Sequence, residues 1–169
     1  MIEPKIKSGQ ICSWKYLSQT YGRYRAMMKV TPKGAQYWWA MWLIRGNGEE
    51  IDIEFMDEDS KGFTCTLHGM VYGQKQIVFK KHFRFGVDLS LDPHLYEIDW
   101  QSDKVSWYLD GIELCRYTGK YIPTCKLGLI INNAVSRGFD PTGIPESRLK
   151  ELLPMSGYVK WVEILNKII

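Results

Sequence analysis

The densest chemistry in the sequence is the run Gly48-Glu-Glu-Ile-Asp-Ile-Glu-Phe-Met56. On a strand, successive side chains point to opposite faces, so Glu50, Asp52 and Glu54 share one face and Ile51, Ile53 and Phe55 the other. At about 3.3 Å per residue, positions four apart have Cα atoms roughly 13 Å apart. Two glutamates leaning towards each other across that span bring their carboxyls within about 5–6 Å, the separation that suits a nucleophile and an acid/base flanking a glycosidic bond. Asp52 between them can hydrogen-bond one glutamate and, by like-charge repulsion, raise the proton affinity of another. A solvated acidic face, with or without a bound cation, accounts for the same spacing, and spacing alone leaves both readings open. The acidity continues through Asp57-Glu-Asp-Ser-Lys-Gly62. Lys61 there takes the place of a ligand and His68 stands where a calcium loop needs its last Glu, so the segment reads as a turn.

These carboxylates need a sheet to hold them, and the sequence alternates with period two almost throughout. Tyr24 to Val30, Trp38 to Ile44, Ile51 to Phe55, Phe63 to Val71, Gln76 to Lys81, Leu95 to Trp100, Val105 to Leu109, Ile112 to Tyr117, Leu127 to Val135 and Tyr158 to Leu165 all read as strands. Turn residues separate them: Thr31-Pro-Lys-Gly34, Gly46-Asn-Gly48, Gln101-Ser-Asp103 and Asp110-Gly111. The stretch 95–117 reads as an antiparallel meander closed by the Asp-Gly turn. One short helix is predicted over Pro145 to Leu153, bracketed by Pro145 and Pro154. Many strands with almost no helix predict an all-β sandwich. No repeat, linker or boundary divides residues 1–169, which read as one domain.

Composition narrows the function. The chain holds 7 Trp, 10 Tyr and 6 Phe in 169 residues, too aromatic for a chain that cannot collapse. A net charge of +3 gives no footprint for nucleic acid, and Lys80-Lys81-His82-Phe83-Arg84 reads as a strand end with solvated lysines. No apolar run reaches the roughly 18 residues of a membrane span, and the N-terminal residues lack the apolar stretch of an export signal. Cys12, Cys65, Cys115 and Cys125 have no metal-ligand spacing, so no metal and no cofactor is expected. They leave one bridge or buried free thiols as alternatives.

Glu50-Ile-Asp-Ile-Glu54-Phe resembles the E-[IL]-D-[IF]-E signature of glycoside hydrolase family 16. Further segments are similar in order and spacing: Tyr21-Gly-Arg-Tyr-Arg-Ala-Met-Met-Lys29, Trp38-Trp-Ala-Met-Trp42-Leu, His94-Leu-Tyr-Glu-Ile-Asp-Trp100, Val105-Ser-Trp-Tyr-Leu-Asp-Gly111, Leu129-Ile-Ile-Asn-Asn-Ala-Val135 and Tyr158-Val-Lys-Trp-Val-Glu-Ile164. The likeness runs from about Ile6 to the C-terminus. It implies a concanavalin A-like jelly roll, two curved antiparallel sheets with a glycan cleft on the concave face. It implies a retaining endo-β-glycanase acting on β-1,3 or mixed β-1,3/1,4-glucan by double displacement, with Glu50 as nucleophile, Glu54 as general acid/base and Asp52 assisting. The unbulged E-x-D-x-E form is like that of lichenases and xyloglucan enzymes, whereas the Asn132 segment is laminarinase-like.

Departures from the family pattern add expectations. The chain has only about twenty residues before the Tyr21 segment, where family members carry several strands, so it reads as lacking the usual first strands. A sheet edge left uncovered in this way suggests a homo-oligomer. Arg25 stands where the family has Glu, and Met27 where it has Arg. Family members act mostly outside the cell, which suggests the same here, although this chain shows no export signal.

The aromatic residues divide by face. Trp38, Ala40 and Trp42 share one face of their strand, and Trp39, Met41 and Leu43 the other. The resemblance places Trp38 and Trp42 in the cleft as platforms for sugar rings. Trp100, Trp107 and Trp161 read as core. The resemblance also makes His68, likened to a His near the leaving-group side, and Asn132 candidate substrate-binding residues. The partner expected is a polysaccharide, with no nucleic acid and no membrane. Rival readings are a jelly roll that binds glycan without cutting it, a transglycosylase using the same residues, and a structural jelly roll in an assembly.

Overall fold

In the strand Gly22–Lys29 every second residue is buried: Tyr24, Ala26 and Met28 point inward while Arg23, Arg25, Met27 and Lys29 point outward. The same alternation builds the rest of the molecule. The computed structural model describes residues 8–31, 37–56, 59–135 and 156–166. Within them run eleven strands: β1 (Gln10–Cys12), β2 (Gly22–Lys29), β3 (Tyr37–Ile44), β4 (Glu50–Phe55), β5 (Gly62–Val71), β6 (Gln74–Arg84), β7 (His94–Trp100), β8 (Val105–Leu109), β9 (Ile112–Tyr117), β10 (Gly128–Val135) and β11 (Tyr158–Leu165). They form a six-stranded sheet in the order β1-β10-β3-β4-β5-β6 and a five-stranded sheet in the order β11-β2-β7-β8-β9. Every named pairing is antiparallel.

All ten strands expected from the sequence are present. β1 was not foreseen: its three residues are all exposed, so they carry no burial alternation, and pairing with β10 alone makes them a strand. The helix predicted over 145–153 and most of the turn at 31–34 lie outside the described residues.

The core is the space between the two sheets. Met41, Leu43, Ile51, Ile53, Phe63, Cys65 and Leu67 from the six-stranded sheet meet Tyr24, Met28, Tyr96, Ile98, Trp100 and Trp107 from the other. Trp100 and Trp107 are fully buried, as expected. Trp161 is not core and corrects the sequence reading, being 37% exposed. It lies on β11, an edge strand, just past a bulge between Val159 and Trp161, and the Arg25 guanidinium sits 5.8 Å from its ring centroid. The four cysteines are free thiols.

Arg25, the departure noted above, has new partners. It donates to Glu97 at 2.6 Å and to Glu163 at 2.7 Å, and Arg23 lies 3.0 Å from the same Glu97, whose side chain is only 1% exposed. A buried carboxylate under two guanidiniums ties β2, β7 and β11 together on the outer side of the five-stranded sheet.

Two local devices set the six-stranded sheet's geometry. Val71 pairs with Gln74 around Tyr72 and Gly73, whose φ values of 50° and 79° are those of a two-residue hairpin turn matching the strand twist. Farther along, Leu67 faces Phe79 while His68 faces Ile77, so Val78 is an extra residue in β6. This bulge switches which side chains of β6 point to the core. Phe79 and Phe83 pack inward, and Lys80 and His82 fall on the outer side opposite Thr66 and Thr64.

Candidate active site

The outer face of the six-stranded sheet gathers the sequence candidates in neighbouring rows. Glu50 stands opposite Ile44 on β3 and His68 on β5; Asp52 opposite Trp42 and Thr66; Glu54 opposite Ala40 and Thr64. Across β3, Trp42 faces Ile130, Ala40 faces Asn132 and Trp38 faces Ala134. Ile51, Ile53 and Phe55 are buried on the other side. The strand period thus does what the spacing predicts: the three carboxylates on one face, the apolar residues on the core face.

Asp52 is the centre of the acidic row and is only 2% exposed. Neither of its carboxyl oxygens makes a hydrogen bond of good geometry among the described residues. Its burial first, then the charges of Glu50 and Glu54 beside it, hold its pKa well above the usual carboxylate range. That shift favours the protonated form of Asp52, which lessens like-charge repulsion along the row. Below the strand, the Trp107 indole donates to the Asp52 backbone carbonyl at 3.0 Å, from the opposite sheet.

The two glutamates have different partners. Glu54 Oε2 accepts a hydrogen bond from the Thr66 hydroxyl at 2.9 Å. Glu50 Oε2 accepts one from the Lys75 ammonium at 2.7 Å. His68 Nε2 lies 3.3 Å from Asp52 Oδ2 and 3.8 Å from Glu50 Oε1, so this imidazole sits at the Glu50 end of the row. Burial, then the positive charge of Lys75, pushes the His68 pKa below its ordinary value, which favours a neutral ring. The oxygen and nitrogen atoms of Glu50, Asp52 and His68 that could bind a metal ion all lie within 4.8 Å of one another. Lys75 already neutralises the Glu50 member of this group.

Trp42 and Asn132 belong together: the indole Nε1 donates to Asn132 Oδ1 at 2.8 Å. That bond fixes the half-buried Trp42 ring beside Asp52. Trp38 lies on the same face beyond Ala40, also half-buried. Sequence reasoning missed Lys75 and Thr66. The alternation of β5 places Thr64, Thr66 and His68 on one face and was a usable signal for Thr66. Lys75 reaches the site only through the register of the hairpin.

Residues 3–125 match the model of the glycosyl hydrolases family 16. The chain belongs to this family. Among family 16 relatives, it is 32% identical over 110 residues to the "Probable glycosidase CRR1" of Saccharomyces cerevisiae, covering 64% of this chain and 25% of that protein. It is 31% identical over 100 residues to a glucan endo-1,3-beta-glucosidase of Cryptopygus antarcticus, covering 53% of this chain and 37% of that one. The chain thus spans well under half the length of these curated relatives. The solved Bacillus licheniformis beta-glucanase superposes with a TM-score of 0.71 at 23% identity, over 90% of this chain and 69% of that chain. This likeness shows that the two packed antiparallel sheets are the family 16 jelly roll.

Proposed function

We propose that this chain hydrolyses β-1,3 or mixed β-1,3/1,4-glucan from within the polymer, by double displacement with retention. The observation that carries the reading is the row Glu50, Asp52, Glu54, in which a buried carboxyl separates two glutamates with distinct partners. Glu50 Oε1, the oxygen not bound by Lys75, attacks the anomeric carbon. Glu54, carrying a proton, gives it to the departing glycosidic oxygen as that bond breaks. The sugar is left as an ester on Glu50. Glu54, now ionised, takes a proton from water, the resulting hydroxide displaces Glu50, and configuration is retained. Asp52, whose pKa burial and the two glutamates raise, keeps like-charge repulsion between the nucleophile and the acid/base low. Trp38 and Trp42 offer flat faces to the sugar rings. The family membership and the names of the relatives support a glucan as substrate.

The test is reducing-end release from laminarin and lichenan by the parent protein and by Glu50→Gln and Glu54→Gln. Both variants lose about 100-fold or more in kcat if each carries its assigned step. No hydrolysis of any β-glycan by the parent, or full activity in both variants, overturns the reading. Glycan binding without products identifies a binding jelly roll instead, and products longer than the substrate in the presence of an oligosaccharide acceptor identify transglycosylation.

A further inference from the structure

We propose that Lys75 is a positioning residue for catalysis: its ammonium clamps Oε2 of Glu50, balances the charge of that carboxylate and leaves Oε1 free to attack. The proposal rests on the functional reading above for its kinetic consequences, and on geometry for the clamp itself.

The clamp is built by the fold. Lys75 follows the Tyr72-Gly73 turn, pairs with Met70 and so lies on the same side of the sheet as His68 and Glu50. Its ammonium is 2.7 Å from Glu50 Oε2, while the Glu50 side chain is 14% exposed and that of Lys75 40%. A charge-assisted bond of this length on a mostly covered carboxylate fixes its rotation, which an aliphatic Glu side chain on an open strand face would not do. Among the described residues, the charged and titratable groups that face Glu50 are few. On its own strand they are Asp52 and Glu54, on β5 His68, and on β6 Lys75 with Lys80 farther along; the residue opposite on β3 is Ile44. Among the described residues, Lys75 is the cation in direct contact with Glu50.

The charge balance explains why a lysine suits this place. Ionised Glu50 and Lys75 cancel before reaction, and when the intermediate is hydrolysed the same ammonium meets the carboxylate as it re-forms, without a proton being moved to or from the lysine.

The experiment compares Lys75→Gln and Lys75→Arg with the parent on laminarin and lichenan. Loss of one charge-assisted bond on the nucleophile predicts a fall in kcat of roughly 10- to 100-fold in Lys75→Gln. KM stays within about threefold, because the clamp acts on the reacting group rather than on binding. Lys75→Arg, which keeps charge and donor, restores most of the rate. In parallel, the carbon-13 signal of the Glu50 carboxyl in glutamate-labelled protein reads the clamp without substrate; it moves in Lys75→Gln and returns in Lys75→Arg while the rest of the spectrum is preserved. Activity of Lys75→Gln within twofold of the parent, with the Glu50 signal unmoved, overturns the proposal. An inactive parent overturns the functional reading alone, and the carboxyl signal still decides whether Lys75 holds Glu50.

Discussion

The indole of Trp107 hydrogen-bonds the backbone carbonyl of Asp52 at 3.0 Å, joining the buried centre of one sheet to the middle of the acidic strand in the other. Trp107 is itself held by stacking on Phe79, with ring centroids 5.3 Å apart and planes 19° from parallel. Both residues lie in the space between the sheets, so the acidic row rests on packing rather than on loops. Trp107→Phe keeps most of the aromatic surface but removes the donor. Leaving that carbonyl short of a partner costs about 1–3 kcal/mol. Thermal unfolding should show a midpoint lower by about 2–4 °C for each kcal/mol lost in a chain of this size. An unchanged midpoint would show that the bond contributes nothing.

Asp52 sets a pH dependence whose sign is opposite to that of an ordinary paired carboxylate. Its pKa is raised in the folded protein, by burial and then by Glu50 and Glu54. Between the unfolded value near 3.8 and the raised folded value, the folded state binds more protons than the unfolded one, so stability falls as pH rises through that window. Asp52→Asn is close in shape and has no proton to lose. The variant should therefore be more stable than the parent at pH 8 and differ much less at pH 4, as measured by urea denaturation at both values. Activity should fall at the same time, because the amide is not a carboxyl that can share a proton with Glu50. A stability difference independent of pH would contradict the assignment.

Asn132 acts through Trp42. Its side-chain oxygen accepts the indole proton at 2.8 Å, and the ring it holds stands in register with Asp52. Asn132→Leu preserves volume and removes the acceptor. Trp42 is half-buried, so water can reach its indole, and the stability cost should stay near or below about 1 kcal/mol. With Trp42 as the sugar platform proposed above, a loosened ring predicts a KM for laminarin raised about 3- to 10-fold with kcat less affected. Equal KM values in parent and variant would remove Asn132 from glycan binding.

How far the sequence reveals this site depends on whether each residue's neighbours are set by its own strand or by another. Glu50, Asp52 and Glu54 are legible because one strand's period fixes them, and Ile51, Ile53 and Phe55 confirm the phase by being buried. Trp38 and Trp42 follow the same logic on β3. The bond between Trp42 and Asn132 is not legible, since it depends on the register of β3 against β10. Lys75 is hidden twice: it lies just after a turn of Tyr72 and Gly73 that is not an Asn-Gly signal, and its strand breaks period at Val78. Trp161 misleads for a related reason, because alternation says which residues share a face but not whether anything covers that face on an edge strand.

The bulge at Val78 supplies the last prediction. Before it, Lys75 and Ile77 share the outer side of β6; after it, Lys80 and His82 do, while Phe79 and Phe83 turn to the core. Deleting Val78 leaves Ile77 opposite His68 and Phe79 opposite Leu67, so the pairings on both sides of the bulge survive and β6 alternates without a break. Lys75 then keeps its place beside Glu50, and Phe79 its stack on Trp107. The deletion should therefore cost little more than Val78→Ala, which trims a half-buried side chain at about 1 kcal/mol. Urea denaturation of the two variants checks this. A deletion that loses several times what the substitution loses would show that the sheet needs the local twist of the bulge and not only the register on either side of it.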